Sequence, residues 1–522
     1  MPGVPGAKPT PSRGGSMIEA MVGSVGHLNP LFETDDNDRD IDSLVYQGLV
    51  GVDARQRPIP VLASSWVESA DQLSYTFTIR SGVRWADGVA FSADDVMFTF
   101  GVLQNPAYTD PSAQYWKNVT VTRVAPDQVR FTLKAPLASF PLTLRQGIIP
   151  EHLFSSVPVT AMASDLHSNA AAIGTGPFRV ASISPDRRTV RLVRNPRARP
   201  APYLDSFVMN GYPSLADAVS AVSRGAADAV GALQPPQLAS LAKRPDLQIF
   251  ERQSFSFAAI LLNLTPANQN YFTPTSVRLA LAESIDRGAI VNSVLGGHAD
   301  PAPGPIPPSS WAYNSKVSGA YPFDLTRARA DFAAAGWSVN PSTGLLQKAG
   351  QVLSLSLVTA DGYPYLQVAD AVAQQLKRVG VEVKVEPVAA SDLVSVYLQP
   401  KDYQLALAAF DNGPDPDQYS LWHSGAPAGS VNFASALNPD QDLIDKDLED
   451  GRASPWNDRP NREAAYVDFQ SLMSASAPAV FLFEPHYIYV VSRRIRGVTI
   501  DPVVDPSDRF AHVTSWYVSS AG

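Results

Sequence analysis

The sequence predicts an α/β fold of more than one domain, and three observations carry that prediction. The chain has 522 residues, too many for one ordinary core, so two or three domains are expected. Residues 61–136 alternate apolar and polar side chains in short runs separated by turns, the pattern of paired strands. Residues 353–388 read strand, helix, strand, which requires a parallel pair joined by a crossover. A hydrophobic fraction of 45% and a charged fraction of 17% belong to a folded globular chain.

The elements follow in order. Residues 1–15, MPGVPGAKPTPSRGG, have the composition of a flexible linker or tag remnant and cannot build a core. Met17, Glu19 and Met21 then alternate with Ile18, Ala20 and Val22 as a strand, ended by a loop from Gly23 to Pro30 that contains Asn29. Two strands meet at a turn at Ala70 and Asp71, with Tyr75, Phe77 and Ile79 on one face. A helix starts near Ser92, whose hydroxyl can cap it with Asp95 three positions on. Residues 119–136 form a second hairpin turning at Pro126 and Asp127. Leu353, Leu355 and Leu357 mark a later strand. Val368, Val372, Leu376 and Val379 share one helical face, with Gly380 placed to end that helix. Val381, Val383 and Val385 give the next strand, and after a helical connection over about 390–398, DYQLALAA supplies another.

Composition also excludes chemistry. Lys and Arg number 41 against 50 Asp and Glu, a formal charge of −9, so no basic face for nucleic acid is expected. No run approaches the roughly 18 uninterrupted apolar residues of a membrane span, and the first residues lack the layout of a signal peptide. Cysteine is absent, which removes disulfides, thiol catalysis and cysteine-ligated metal, and is compatible with an oxidising compartment. The seven histidines, His27, His152, His167, His298, His423, His486 and His512, make no metal-ligand spacing. There is no nucleophile elbow and no P-loop, and GTGP at 174–177 reads as a turn in which Gly174 and Gly176 supply positive φ. No catalytic residue, metal or cofactor is expected.

The stretch LALAAFDNGPDPDQYSLW, residues 405–422, holds Asp411, Asp415 and Asp417 after a strand, where ligands of open α/β sheets collect. As a calcium loop it fails, because glycine stands third and Pro414 and Pro416 stiffen the places where ligands should converge. The aromatics Phe255, Phe257, Phe410 and Trp422 are core residues by default and cleft residues only by position.

Taken in order, LASSWVESADQLSYTFTIRSGVRWADGVAFSADDVMFTF, IGTGPFRV, VRLALAESIDRGAIV, QLKRVGVEVKV and VNFASALNPDQDLI resemble successive blocks of the extracytoplasmic solute-binding proteins of ABC importers, family 5, the oligopeptide-, dipeptide- and nickel-binding group. The resemblance runs from about Met17 to Tyr517. It implies a periplasmic-binding-protein-like fold of the cluster C type, with two α/β lobes joined by a hinge and a strand-rich insert. Lobe I would comprise 16–47, 172–262 and 487–522, the insert 48–171, and lobe II 263–486, with crossings near Asn263 and Glu484. It further implies a monomer outside the cytoplasm, lipid-anchored in its precursor, that closes on a small solute and delivers it to ABC permease subunits.

In peptide binders of that family, an aspartate in the segment W-x-A-D-Y-x-D/E-P pairs with the ligand's α-ammonium group. Aligning Pro416 with the family's proline puts Asn412 at that position and Asp411 one residue early. An amide cannot neutralise a buried ammonium. Either Asp411 takes the role through a local shift, or the ligand is a neutral, carbohydrate-like solute held by Asn412 on an aromatic platform. The expected ligand-binding residues are Asn29, Phe255, Phe257, Phe410, Asp411, Asn412 and Trp422. The alternatives are an orphan receptor feeding a membrane sensor and a hydrolase using Asp411 and Glu484 as its carboxylates.

Overall fold

The computed structural model describes residues 11–316, 321–427 and 430–519. Residues 1–10 of the predicted linker lie outside the described residues; of the rest, the Gly14 amide donates to the Tyr203 carbonyl at 2.9 Å and the Gly15 carbonyl accepts from Asp205 at 2.9 Å. The chain forms two compact units. The first combines the described residues up to Arg252 with those from Tyr487 onward; the second is Gln253–His486.

In the first unit, the strand Ser16–Val22 lies parallel to Ser206–Tyr212 on one side and to Ala229–Val230 on the other. Thr189–Arg194 and Phe178–Ile183 extend that sheet antiparallel. Val222, Leu238, Leu241, Ile488 and Val490 bury one face of it. The strand-rich region forms a four-stranded antiparallel sheet of Ala63–Glu68, Ser74–Ile79, Gln128–Leu133 and Val119–Ala125, with Tyr75, Phe77 and Ile79 turned inward as their alternation predicts. Ser92 caps the helix Ala93–Leu103: its side chain accepts from the Asp94 amide, and Asp95 reaches back to the Ser92 amide at 2.9 Å.

Gly174 and Gly176 do not have the positive φ expected of a turn. They are needed for space: a Cβ on Gly174 would stand 1.8 Å from the Val45 carbonyl oxygen, and one on Gly176 would stand 2.7 Å from the Val45 carbonyl. Two chain segments approach backbone to backbone there, and the Gly176 amide donates to Val45 O at 2.8 Å.

In the second unit, Ser354–Ala360 is parallel to Glu382–Val388 and to Leu405–Asp411. The helix Tyr365–Lys377 makes the first crossover because Val368, Val372 and Leu376 fall on one face and are buried against the sheet. Gly380, at φ +90°, provides the left-handed turn that follows this helix. The connection read as helical is a short helix, Ala390–Asp392, running into a π-helical turn, Leu393–Leu398.

Ser256–Leu262 is buried along its whole length and pairs antiparallel with Leu405–Asp411 on one edge and with residues 479–483 on the other. Both of these partners lie within Gln253–His486. Asn263 is buried inside the second unit, where its Nδ2 donates to the Lys401 and Tyr403 carbonyls.

Candidate functional site

Two surfaces concentrate polar side chains at the carboxyl ends of parallel strands, one in each unit. In the second unit the strand Leu405–Asp411 ends on Asp411, whose side chain is exposed, opposite Ser256 in the register. Tyr365, at the start of the crossover helix, is close enough that burial first, and the Asp411 charge second, push its phenol above the ordinary tyrosine range.

Asn412 turns the other way. It is 9% exposed, its amide N–H donates to the Phe255 carbonyl at 2.7 Å, its Nδ2 donates to Pro305 O at 3.1 Å, and its Oδ1 accepts from Gln418 Nε2 at 2.6 Å. Both ends of the side-chain amide are engaged inside the unit, which fixes where the chain leaves the strand.

The remaining acids of the loop anchor it to helices. Asp415 accepts from Arg462 at 2.6 Å and Asp417 from Arg452 at 2.6 Å, the two arginines standing on the helices Arg459–Ser476 and Gln441–Ala453. Burial raises the Asp415 carboxyl above the usual range while the Arg462 charge opposes that shift. Arg452 lies over the Tyr419 ring at 3.9 Å, and Tyr419 stacks on His423 at 3.9 Å.

The structure brings three of the predicted aromatics together, but in the interior. Phe257 meets Phe410 at 5.7 Å and Phe481 at 5.2 Å; Phe433 joins Phe410 at 5.2 Å and Trp422 at 5.4 Å. Phe257 and Trp422 are fully enclosed, Phe255 is buried, and Phe410 is half-buried against the same cluster. Asn29, in the first unit, is also fully buried. Its Nδ2 donates to Ser168 Oγ at 2.8 Å and its Oδ1 accepts from the Leu31 amide at 3.0 Å, closing a turn. Of the seven predicted residues, Asp411 is the one whose side chain the structure leaves exposed.

Glu484, the second carboxylate of the hydrolase alternative, is 1% exposed; neither oxygen has a hydrogen-bond partner among the described residues, and burial with the Asp300 charge pushes its carboxyl up to about 9. Asp300 itself accepts from Gln253 at 3.2 Å and is bonded to His486 at 3.0 Å.

The first unit presents a cavity of about 360 Å³ that sequence reasoning missed. It opens where Ser16–Val22 and Ala229–Val230 end and where the helix Asp36–Val45 begins. Asp35, Asp36, Asp40 and Arg509 line it with Tyr487, beside the apolar walls of Met21, Val22 and Leu215. Beneath it Arg509 grips both oxygens of Asp40, at 2.6 and 2.5 Å, and donates to Glu19 at 3.2 Å, while the Tyr489 hydroxyl donates to Glu19 at 2.6 Å. Burial, opposed by Arg509, holds Glu19 at about 7. The loop preceding the helix is tied by Asp38, which accepts from the amides of Gly26, His27 and Thr34 at 2.7, 3.1 and 2.9 Å. The only sequence signal for this clamp is the density of aspartates at 35–42.

Among the described residues no cluster of three histidine or carboxylate side chains could hold a metal ion, and no helix is long and apolar enough to cross a membrane.

A two-unit α/β chain with polar groups gathered at strand ends is the frame of a solute receptor, and comparison with known proteins makes the class definite. The chain belongs to the bacterial extracellular solute-binding proteins, family 5, whose model (middle region) matches residues 57–432. It is 26% identical to the oligopeptide-binding protein AppA of Bacillus subtilis over 98% of this chain and 92% of that protein, and 30% identical to protein XP55 of Streptomyces lividans over 88% and 82%. The solved structure of AppA with a nonapeptide matches with a TM-score of 0.75 and 25% identity, covering 98% of this chain and all of that one. The substrate-binding protein CtaP of Listeria monocytogenes, at 24% identity, shares the fold with a TM-score of 0.82.

Proposed function

We propose that this chain is the extracytoplasmic receptor of an ABC importer, that its two units close on a peptide, and that Asp411 receives the peptide's N-terminal ammonium group. One observation carries the reading: at the end of Leu405–Asp411 the exposed side chain is the carboxylate, while the neighbouring amide of Asn412 is buried and bonded at both ends. A carboxylate supplies the charge that an ammonium needs once water is displaced, and an amide does not.

The carbohydrate reading depended on Asn412 as a free hydrogen-bonding group, and its engagement with Pro305 and Gln418 removes that support. The relatives named for their ligands point the same way, since AppA is an oligopeptide-binding protein and its solved complex holds a nonapeptide. Closure follows from differential affinity, because a ligand that touches both units favours the state in which both contacts are made. Nothing in that cycle requires a covalent step, so the receptor binds without turnover.

Denaturing the purified protein and analysing the released material by mass spectrometry tests the reading. Peptides of a few residues are expected. Release of a sugar or glycoside in stoichiometric amount, with no peptide, would overturn it.

A further inference from the structure

We propose that Glu484 is a positioning residue for Asp411: its uncharged carboxyl keeps the strand Ala299–Pro301 paired, and the proline-rich segment that follows carries that placement to Asn412 and so to the carboxylate beside it. This rests on the peptide reading above and goes beyond it by coupling peptide affinity to one buried proton. The geometry starts at a strand pair. Ala299–Pro301 runs antiparallel to residues 483–485 with Asp300 directly opposite Glu484, so two carboxyl groups share one face of the sheet. Asp300 accepts from Gln253 at 3.2 Å and is bonded to His486 at 3.0 Å. Burial favours its acid form, but these two bonds outweigh burial and hold its carboxyl below the ordinary range. Glu484 has no such support, being 1% exposed with neither oxygen partnered among the described residues. The other titratable or charged side chains near the pair in this unit are His298, which precedes the strand, and Arg287, which donates to the carbonyls of Phe481, Ala282 and Tyr321 at 2.6, 3.3 and 3.3 Å. A charge on Glu484 is therefore buried, unpaired and set against Asp300. Burial first, and the Asp300 charge second, hold the carboxyl up at about 9.

The link to Asp411 runs along the chain from Asp300. Residues 300–308 read DPAPGPIPP, with proline at 301, 303, 305, 307 and 308. Proline fixes φ, so the segment is stiff and a shift at one end reaches the other. The Ala302 amide donates to the Leu482 carbonyl at 3.1 Å, which extends the pairing one residue past the strand. Three residues on, the Pro305 carbonyl accepts from Asn412 Nδ2 at 3.1 Å, and Asn412 fixes where the chain leaves Leu405–Asp411. Ionisation of Glu484 sets two carboxylates face to face, and the strand Ala299–Pro301, three residues long, yields. The Pro305 carbonyl moves with it, and Asp411 loses the placement that receives an ammonium group. Because the carboxyl is raised in the held geometry, that geometry is fully present at neutral pH and is lost as pH rises through about 9.

The test is calorimetry on the whole chain with one tripeptide of free N-terminus, from pH 6 to pH 10, for the parent and Glu484→Gln. The carboxamide keeps the shape and cannot ionise. The peptide's own ammonium titrates alike in both measurements and cancels in the ratio of affinities. Relative to its value at pH 6, the ratio of parent to variant affinity should fall about twofold by pH 9 and about tenfold by pH 10, as a group titrating at about 9 requires. Asp300→Asn keeps an acceptor for Gln253 and removes the opposing charge, so its own loss of affinity should begin at a lower pH than the parent's. That second variant reads the same titration if Glu484→Gln does not fold. A ratio constant from pH 6 to pH 10, or an Asp300→Asn profile that coincides with the parent's, overturns the positioning role and leaves the peptide reading intact. Failure of every tripeptide to bind the parent at pH 6 removes both.

Discussion

Arg462 donates to Asp415 at 2.6 Å, with the two side chains 3% and 9% exposed. This pair decides how the aspartate-rich loop is read. An acid that ties a loop to the helix Arg459–Ser476 positions the neighbouring residues and is not itself available to a solute. Removing one partner leaves the other charge buried and unpaired, which costs about 3–5 kcal/mol. Asp415→Ala is expected to lower the unfolding free energy by that amount in denaturant titration. The Asp415→Ala/Arg462→Ala double variant should lose less than the sum of the two single variants.

Asp411 and Asn412 are adjacent and should respond in opposite ways. Asp411→Asn changes an exposed group and should leave stability within about 0.5 kcal/mol of the parent while weakening peptide binding at least tenfold. Asn412→Ala removes the acceptor of Gln418 and the donor to Pro305, and should lower stability by about 1–3 kcal/mol. Thermal unfolding and calorimetry on the same two variants separate the roles.

Gly174 tests the close approach of two segments in the first unit. Gly174→Ala sets a methyl group against the Val45 carbonyl, and the backbone on one side has to move. A loss of about 1–3 kcal/mol is expected from such overpacking, read as a lower denaturant midpoint with the slope unchanged.

Glu484 makes stability depend on pH. Its carboxyl is raised in the folded state from 4.5 to about 9, so the folded chain holds more protons than the unfolded chain between those values. The contribution is fully present below about pH 4.5 and is lost as pH rises toward 9, with a slope of up to about 1.4 kcal/mol per pH unit. Glu484→Gln keeps the shape and removes the titration. The variant should flatten the decline of unfolding free energy between pH 5 and 9, and Glu19, held at about 7, should leave a smaller decline in the same direction over the lower part of that range.

The strands and the crossover helix were legible because their burial follows from period alone: Tyr75, Phe77 and Ile79 at period two, Val368, Val372 and Leu376 at helical spacing. The Ser92 cap was legible because its partner stands three residues away. The site was less so. Phe257, Phe410 and Trp422 meet Phe433 and Phe481, and whether an aromatic faces a core or a solute depends on partners far away in the sequence. Asn412 and Asp411 differ by one position on a strand end. Which of them points outward is set by Pro305 and Gln418, and no local pattern encodes that. Tyr487 and Asp36 are likewise joined only by the fold.

The central claim is that Asp411 pairs with a peptide's terminal ammonium group. Calorimetry of one tripeptide with a free N-terminus and the same tripeptide acetylated, against the parent chain and Asp411→Asn, tests it most directly. The free peptide should bind the parent at least tenfold more tightly than the acetylated one, and the difference should vanish in Asp411→Asn. Equal affinity of the parent for both peptides, or a difference that persists in the variant, would contradict the account.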